Sequence, residues 1–189
     1  IRAANQSGVK IFNAEVRNVG STTTTDGVLL ELAQGISSVN NVVVHDILGT
    51  STTSTISISG IRATHATTGS HTIRIYNNMV YGILSAYTGV ASGLRQLRGI
   101  YLQGTGGSTA QDINVDFNSV RMDGSASPNT SNTCFEIATV SGPLIRVRNN
   151  VFANFSSAQT GLAKHYDWVT PGATTGNSGS VSNRNVLYI

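Results

Sequence analysis

The sequence predicts an all-β chain wound as a right-handed parallel β-helix of about six turns, one domain over residues 1–189. Three observations carry that expectation. One short pattern returns six times: an apolar-x-apolar strand, a polar corner centred on Asn, then an apolar residue two positions later. The corner positions 14, 46, 78, 118, 150 and 185 lie 32, 32, 40, 32 and 35 residues apart, a period that signals stacked repeats. Short runs of alternating Ile and Val dominate each repeat, and no stretch keeps apolar residues at helical spacing long enough for helical repeats.

The corner strands begin with Ile11-Phe12-Asn13-Ala14-Glu15-Val16, Val43-Val44-His45-Asp46-Ile47-Leu48 and Ile75-Tyr76-Asn77-Asn78-Met79-Val80. They continue as Val115-Asp116-Phe117-Asn118-Ser119-Val120, Val147-Arg148-Asn149-Asn150-Val151-Phe152 and Ser182-Asn183-Arg184-Asn185-Val186-Leu187. Equivalent side chains in successive turns are expected to stack about 4.8 Å apart. An Asn column then has a physical basis, because a corner needs a residue at ease in the left-handed backbone region and stacked amides bond along the axis. Ala14 and Asp46 depart from the column, which weakens the ladder over the first two turns. A second strand of each turn is expected at Ile1-Arg2-Ala3, Val28-Leu29-Leu30-Glu31-Leu32, Ile61-Arg62-Ala63, Gly99-Ile100-Tyr101-Leu102 and Phe135-Glu136-Ile137. The long interval before position 118 holds an insertion, residues 84–98, expected as a loop or short helix with Tyr87, Arg95 and Arg98 as residues to test for binding.

Both ends fall inside a turn and neither resembles a cap, so the chain is expected to be a piece of a longer polypeptide, truncated at both ends. It carries no signal-peptide pattern and no apolar run long enough to cross a bilayer, so no membrane insertion is expected. Only 11% of residues are charged, against about 25% in ordinary soluble domains, and Ser, Thr, Asn and Gly supply the polar surface. That composition suits a secreted β-solenoid. The net charge of +3 reflects scarce acids, and the 12 Lys and Arg form no cluster, which argues against nucleic acid. The single cysteine, Cys134, leaves no internal disulfide; its alternation with Phe135 and Ile137 leaves it able to face outward, and nothing marks it as a nucleophile.

Segments such as Ile145-Arg146-Val147-Arg148-Asn149-Asn150-Val151-Phe152 and Val181-Ser182-Asn183-Arg184-Asn185-Val186-Leu187 resemble the right-handed parallel β-helix regions of large secreted or cell-surface proteins of Bacteroidota. Those proteins often end in a type IX secretion sorting domain, which this sequence does not contain. The resemblance implies an extracellular or cell-surface setting and a coil, and no particular chemistry. The same fold serves pectate lyases, polygalacturonases, phage tailspikes and adhesins.

Carbohydrate cleavage on such a coil needs paired carboxylates, or clustered acids holding Ca²⁺ beside an Arg. The nine acids are Glu15, Asp26, Glu31, Asp46, Asp112, Asp116, Asp123, Glu136 and Asp167, none adjacent to another. With the repeats aligned as above, the outward columns read Lys10, Val42, Arg74, Asn114, Arg146 and Phe12, Val44, Tyr76, Asp116, Arg148, and neither stacks two acids. Asp112 and Asp116, four apart on one strand, share a face. His45, His65, His71 and His165 are scattered, without metal-ligand spacing. Lys164-His165-Tyr166-Asp167-Trp168 gathers the only Trp beside Tyr and charge, either to stack on sugar rings or to fold back over the coil and bury apolar area. Asn5, Asn129 and Asn154 begin N-glycosylation-type triplets expected by chance in so Asn-, Ser- and Thr-rich a chain.

The sequence therefore predicts a structural spacer or ligand-presenting, adhesin-like segment, with no catalytic residue, metal or cofactor. Its expected partners are a polysaccharide or a surface protein, contacted through Arg74, Tyr76, Tyr101, Arg148 and Trp168, whose rings and guanidinium groups suit sugars and carboxylates. The alternative is a fragment of a polysaccharide lyase or glycoside hydrolase of the pectate-lyase-like type, and a third reading is a trimeric tailspike-like fibre.

Overall fold

The computed structural model describes residues 1–53, 56–65, 69–88, 95–104, 111–123, 131–138, 144–156, 165–170 and 181–188. Among them there are strands and turns and no helix. In chain order the strands are β1 (Arg2–Ala4), β2 (Lys10–Ser21), β3 (Thr25–Ala33), β4 (Ile36–Gly49), β5 (Ile58–His65), β6 (His71–Tyr76), β7 (Met79–Val80) and β8 (Ile83–Ser85). They continue with β9 (Arg95–Gln103), β10 (Gln111–Asp116), β11 (Ser119–Met122), β12 (Ser131–Ala138), β13 (Leu144–Arg148), β14 (Val151–Asn154), β15 (His165–Val169), β16 (Val181–Asn183) and β17 (Val186–Tyr188). Every strand pairing is parallel.

Two sheets result. The first runs β1-β3-β5-β9-β12-β15, a strict chain order with the other strands interleaved, as expected of a chain that returns to the same face once per repeat. The second holds the remaining strands and curls, and the long strand β4 shows how. Its residues Ile36–Asn40 pair with β6, Val43–Val44 with β7 and Ile47–Gly49 with β8. Between these segments the backbone turns at Asn41 (φ 52°) and Asp46 (φ 54°), both left-handed. Equivalent left-handed residues stand at Asn13, Asn77, Phe117, Asn149 and Arg184 for the first bend and at Asn18 and Gly82 for the second. The expectation of Asn-rich corners thus holds, with one shift: the left-handed residue precedes the amide-bearing one.

The second repeat is displaced from its expected register. Ala14 pairs with Val42, and the Val42 N–H donates to Asn78 Oδ1 at 3.0 Å, so Val42 takes the place expected for Asp46. The corner positions are 14, 42, 78, 118, 150 and 185, spaced 28, 36, 40, 32 and 35. An even 32-residue spacing misleads here because connecting segments change length at little thermodynamic cost. The outward columns change with it: Ser38 and Asn40 lie between β2 and β6, while Val42 and Val44 are fully buried.

The interior is built of stacked apolar columns. Val28, Ile61, Ile100, Phe135 and Trp168 share one register across the first sheet. Ile11, Val39, Ile75, Val115 and Val147 line the second sheet before its bend, and Val16, Val44, Val80, Val120 and Phe152 beyond it. Each fully buried member contributes about 1.5–3 kcal/mol of transfer free energy. The two sheets approach closely where Gly27, Gly60 and Gly99 stack: a Cβ on Gly60 would lie 2.3 Å from Val80 Cγ1 and 2.7 Å from the Gly99 carbonyl oxygen. Cys134 and Asp167 occupy the next places in this column. That corrects the outward placement of Cys134, which is fully buried with Sγ 3.9 Å from Asp167 Oδ1. Burial pushes its thiol up, the opposite of a reactive cysteine.

The expected second strands of each repeat lie on β1, β3, β5, β9 and β12, in a shared register of Arg2, Leu29, Arg62, Tyr101 and Glu136. The segment around Trp168 adds a sixth, β15, where a surface cluster was one of two expectations; Lys164 lies outside the described residues. Within the insertion, Ile83–Ser85 is strand and Tyr87 is buried, β9 begins at Arg95, and residues 89–94 lie outside the described residues. Of the three N-glycosylation-type triplets, Asn129-Thr130 also lies outside them, and Asn154 is buried against Asn132 at 2.8 Å.

Candidate binding face

Residues on β2, β4, β6, β10 and β13 alternate between the interior and an outer face, as the period of two requires. The outer positions form two columns, Lys10, Ser38, Arg74, Asn114, Arg146 and Phe12, Asn40, Tyr76, Asp116, Arg148. At one end of this face Lys10, Phe12, Ile36, Ser38, Asn40, Arg74 and Tyr76 line a groove of about 390 Å³. Phe12 is 58% and Ile36 57% exposed, large apolar surface that a core would have absorbed. Arg74 is exposed, and neither it nor Lys10 has an ion-pair partner among the described residues.

Farther along the same face the charges are paired. Arg148 donates Nε–H to Asp116 Oδ1 at 2.9 Å and Nη2–H to Oδ2 at 3.0 Å, and this two-point bond holds the guanidinium above its ordinary range. Arg146 lies 3.4 Å from Asp112. The face therefore grades from free cations beside aromatic rings to neutralised pairs.

Of the five residues read as binding candidates, Arg74, Tyr76 and Arg148 share this face. Tyr101 and Trp168 do not. Tyr101 sits on the first sheet, buried, with the Arg98 guanidinium carbon 4.3 Å from its ring centre. Trp168 turns inward and packs edge-on against Phe135 at 5.0 Å and Phe152 at 6.0 Å, the arrangement that buries an indole where its column continues an apolar stack. Lys10, Phe12 and Ile36 complete the groove; the sequence set Lys10 and Phe12 in the outward columns of Arg74 and Tyr76 without reading them as binding residues, and Ile36 enters only because β4 lies four residues earlier than expected.

A second constellation was equally invisible. His45 follows the first bend and places Nε2 3.0 Å from Glu15 Oε1 and Nδ1 2.8 Å from Asp46 Oδ2, with Tyr81 stacked on the ring at 4.8 Å. Two carboxylates can both accept only from a doubly protonated ring, so the clamp requires imidazolium. The bond to Glu15, then that to Asp46, raises the His45 pKa, and the bond to His45, then the charge of Arg17, lowers that of Glu15. The His45–Arg17 register that assembles it appears only once the second repeat is placed four residues earlier.

Four of the five other acids are also paired, Glu31 with Arg2, Asp26 with Arg62, Glu136 with Arg98 and Asp123 with Arg121, and the fifth, Asp167, is buried against Cys134. Among the described residues no group of three or more His, Cys, Asp or Glu side chains is placed to hold a metal ion. No family model matches the chain, nor does any curated protein or solved structure.

Proposed function

We propose that the chain is a right-handed parallel β-helix of about six turns that presents a glycan-binding face on a secreted or cell-surface bacterial protein. The observation that carries this reading is the groove in which exposed Phe12 and half-exposed Tyr76 flank the unpaired cations Lys10 and Arg74. Aromatic faces receive the C–H faces of pyranose rings, and free cations receive carboxylates or sulfates, so an acidic polysaccharide fits best. The strand spacing of about 4.8 Å would let successive sugars meet equivalent positions along the columns. Right-handedness follows the strong preference of parallel strands for right-handed crossovers. The extracellular, type IX-secreted setting rests on the Ser-, Thr- and Asn-rich surface and the resemblance of the corner segments, and a protein partner on the same face is the second candidate occupant.

Binding is favoured over cleavage because both pairs of acids that share a strand, Asp112 and Asp116 on β10 and Asp26 and Glu31 on β3, are spent on arginines. The test is calorimetric titration with an oligogalacturonide. The reading expects weak, salt-sensitive binding that Arg74→Ala reduces about tenfold, consistent with loss of one charge-assisted contact. Binding indifferent to both salt and Arg74→Ala would contradict it.

A further inference from the structure

Beyond the first bend, β7, β11 and β14 turn a second face outward, and its middle is concave. Met79, Tyr81, Ser119, Arg121, Val151 and Ala153 line a mostly apolar groove of about 450 Å³. The hollow follows from residue size. Met79, Ser119 and Val151 share one register, and Arg121 and Ala153 share another, so the small Ser119 and Ala153 leave room between larger neighbours. Met79 is 51% and Val151 42% exposed, so the walls are open to a visitor. At the bend that leads into this face stands Phe117, two residues before Ser119, with φ of 58° and a ring that is 59% exposed. A bulky side chain in the left-handed region is strained, and such strain gathers at functional sites. Among the described residues the ring stacks on no other. Its place is nevertheless fixed: Phe117 N–H donates to the Arg148 carbonyl oxygen at 3.1 Å, and Asn118, next in the chain, is bonded through its backbone and its side chain to Asn150.

We propose that Phe117 anchors a contact between two copies of this chain, each placing its ring in the groove of the other beside Ser119 and Ala153. Anchor and groove lie on one face, about 7 Å apart along the strand, so a two-fold axis between them makes both contacts at once and closes the assembly at two. The groove has the room, since a dry cavity of about 150 Å³ already admits a benzene ring. Charge selects the second copy as occupant. Arg121 donates Nε–H to Asp123 Oδ1 at 2.7 Å, and Asp116 beside Phe117 is held by Arg148, so the face meets itself without opposing unpaired like charges. The groove of Lys10 and Arg74 lacks that property, because pairing it with its own copy would set free cations against each other. A rigid, exposed aromatic that fills a partner's pocket is the usual centre of binding energy in an interface.

The contact does not depend on glycan binding, and sedimentation velocity tests it on the chain alone. Two rings in two grooves make a small interface and a weak dimer, so the native chain is expected to pass from monomer toward dimer between about 5 and about 500 µM. Phe117→Asn removes the anchor while relieving the corner, and it should weaken association about thirtyfold or more. Its thermal melt, measured at low concentration, should be no lower than that of the native chain, which separates loss of the contact from loss of the fold. Ser119→Lys, at an exposed strand position, fills the groove from the other side and should weaken association to a similar degree; it decides the matter if Phe117→Asn melts early. A chain that stays monomeric at every concentration would overturn the proposal and leave the groove to a partner of another kind. Association unchanged in Phe117→Asn and Ser119→Lys alike, or growth past two copies, would also overturn it.

Discussion

Asn118 donates both its backbone N–H and its side-chain Nδ2–H to a single atom, Asn150 Oδ1, each at 2.9 Å. Asn78 bonds in the same way to Asn118, and Asn150 to Asn185. The second amide hydrogen of each closes on a carbonyl of the preceding repeat, Val39 for Asn78, Ile75 for Asn118, Val115 for Asn150 and Val147 for Asn185. Asn118→Ala should therefore strand the Asn78 N–H and the Ile75 carbonyl and cost about 2–4 kcal/mol in urea unfolding. Asn185→Ala, at the half-buried end of the ladder, should cost less than half of that.

Phe117 occupies the left-handed corner place that Asn holds at four of the six equivalent positions among the described residues, with φ of 58° and a ring that is 59% exposed. A bulky residue there carries strain that Asn relieves through its local hydrogen bonding. Phe117→Asn should raise the unfolding free energy by about 0.5–1 kcal/mol. An unchanged or lower urea midpoint would contradict the corner assignment.

The glycine column makes an asymmetric pair of tests possible. Gly60→Ala places a methyl against Val80 and the Gly99 carbonyl oxygen, which belongs to the backbone and yields poorly, so a loss of about 2–3 kcal/mol is expected. Val115→Asp buries a charge in the fully closed column of Ile75 and Val147 and should cost about 4 kcal/mol or more, abolishing cooperative melting of neighbouring repeats.

The His45 clamp predicts a pH window. His45 has a raised pKa, so its contribution is whole below its unfolded value of about 6.5 and is lost as pH rises through the folded value. Glu15 has a lowered pKa, so its contribution is present above its unfolded value of about 4.3 and is lost as pH falls through the folded value. The clamp, with Asp46, Arg17 and Tyr81 around it, is strongest between those limits. Melting temperature should decline from pH 6 to pH 8 in the native chain, and His45→Gln should flatten that slope; a proton NMR titration should find His45 above its ordinary value.

The parallel, repeated character of the chain was legible because stacked columns impose a common residue type: Ile75, Val115 and Val147, or Asn78, Asn118 and Asn150, can be aligned by eye. The Asp116–Arg148 pair followed from the same 32-residue step. The second repeat was misplaced because Val39-Asn40-Asn41-Val42-Val43-Val44 and Val43-Val44-His45-Asp46-Ile47-Leu48 both fit an apolar-polar-apolar corner, and Asp46 is indeed a left-handed bend, the second one. The missing signal was the column Gly27, Gly60, Gly99: each glycine precedes a buried Val or Ile, and aligning them would have fixed the first sheet and turned Cys134 inward. The groove was only half legible: Arg74 and Tyr76 announce themselves and the columns already set Lys10 and Phe12 outward, while Ile36 joins them only once the second repeat is placed four residues earlier.

The most direct test of the glycan-presenting reading is an ¹⁵N NMR titration of the chain with an oligogalacturonide, followed over hours in the same tube. The account predicts saturable shifts at Lys10, Phe12, Ile36, Arg74 and Tyr76, their loss in Arg74→Ala combined with Tyr76→Ala, and an oligosaccharide that remains intact with or without Ca²⁺. Shifts elsewhere or nowhere would contradict the binding face, and cleavage products whose formation depends on Asp112 or Asp116 would replace it with a lyase.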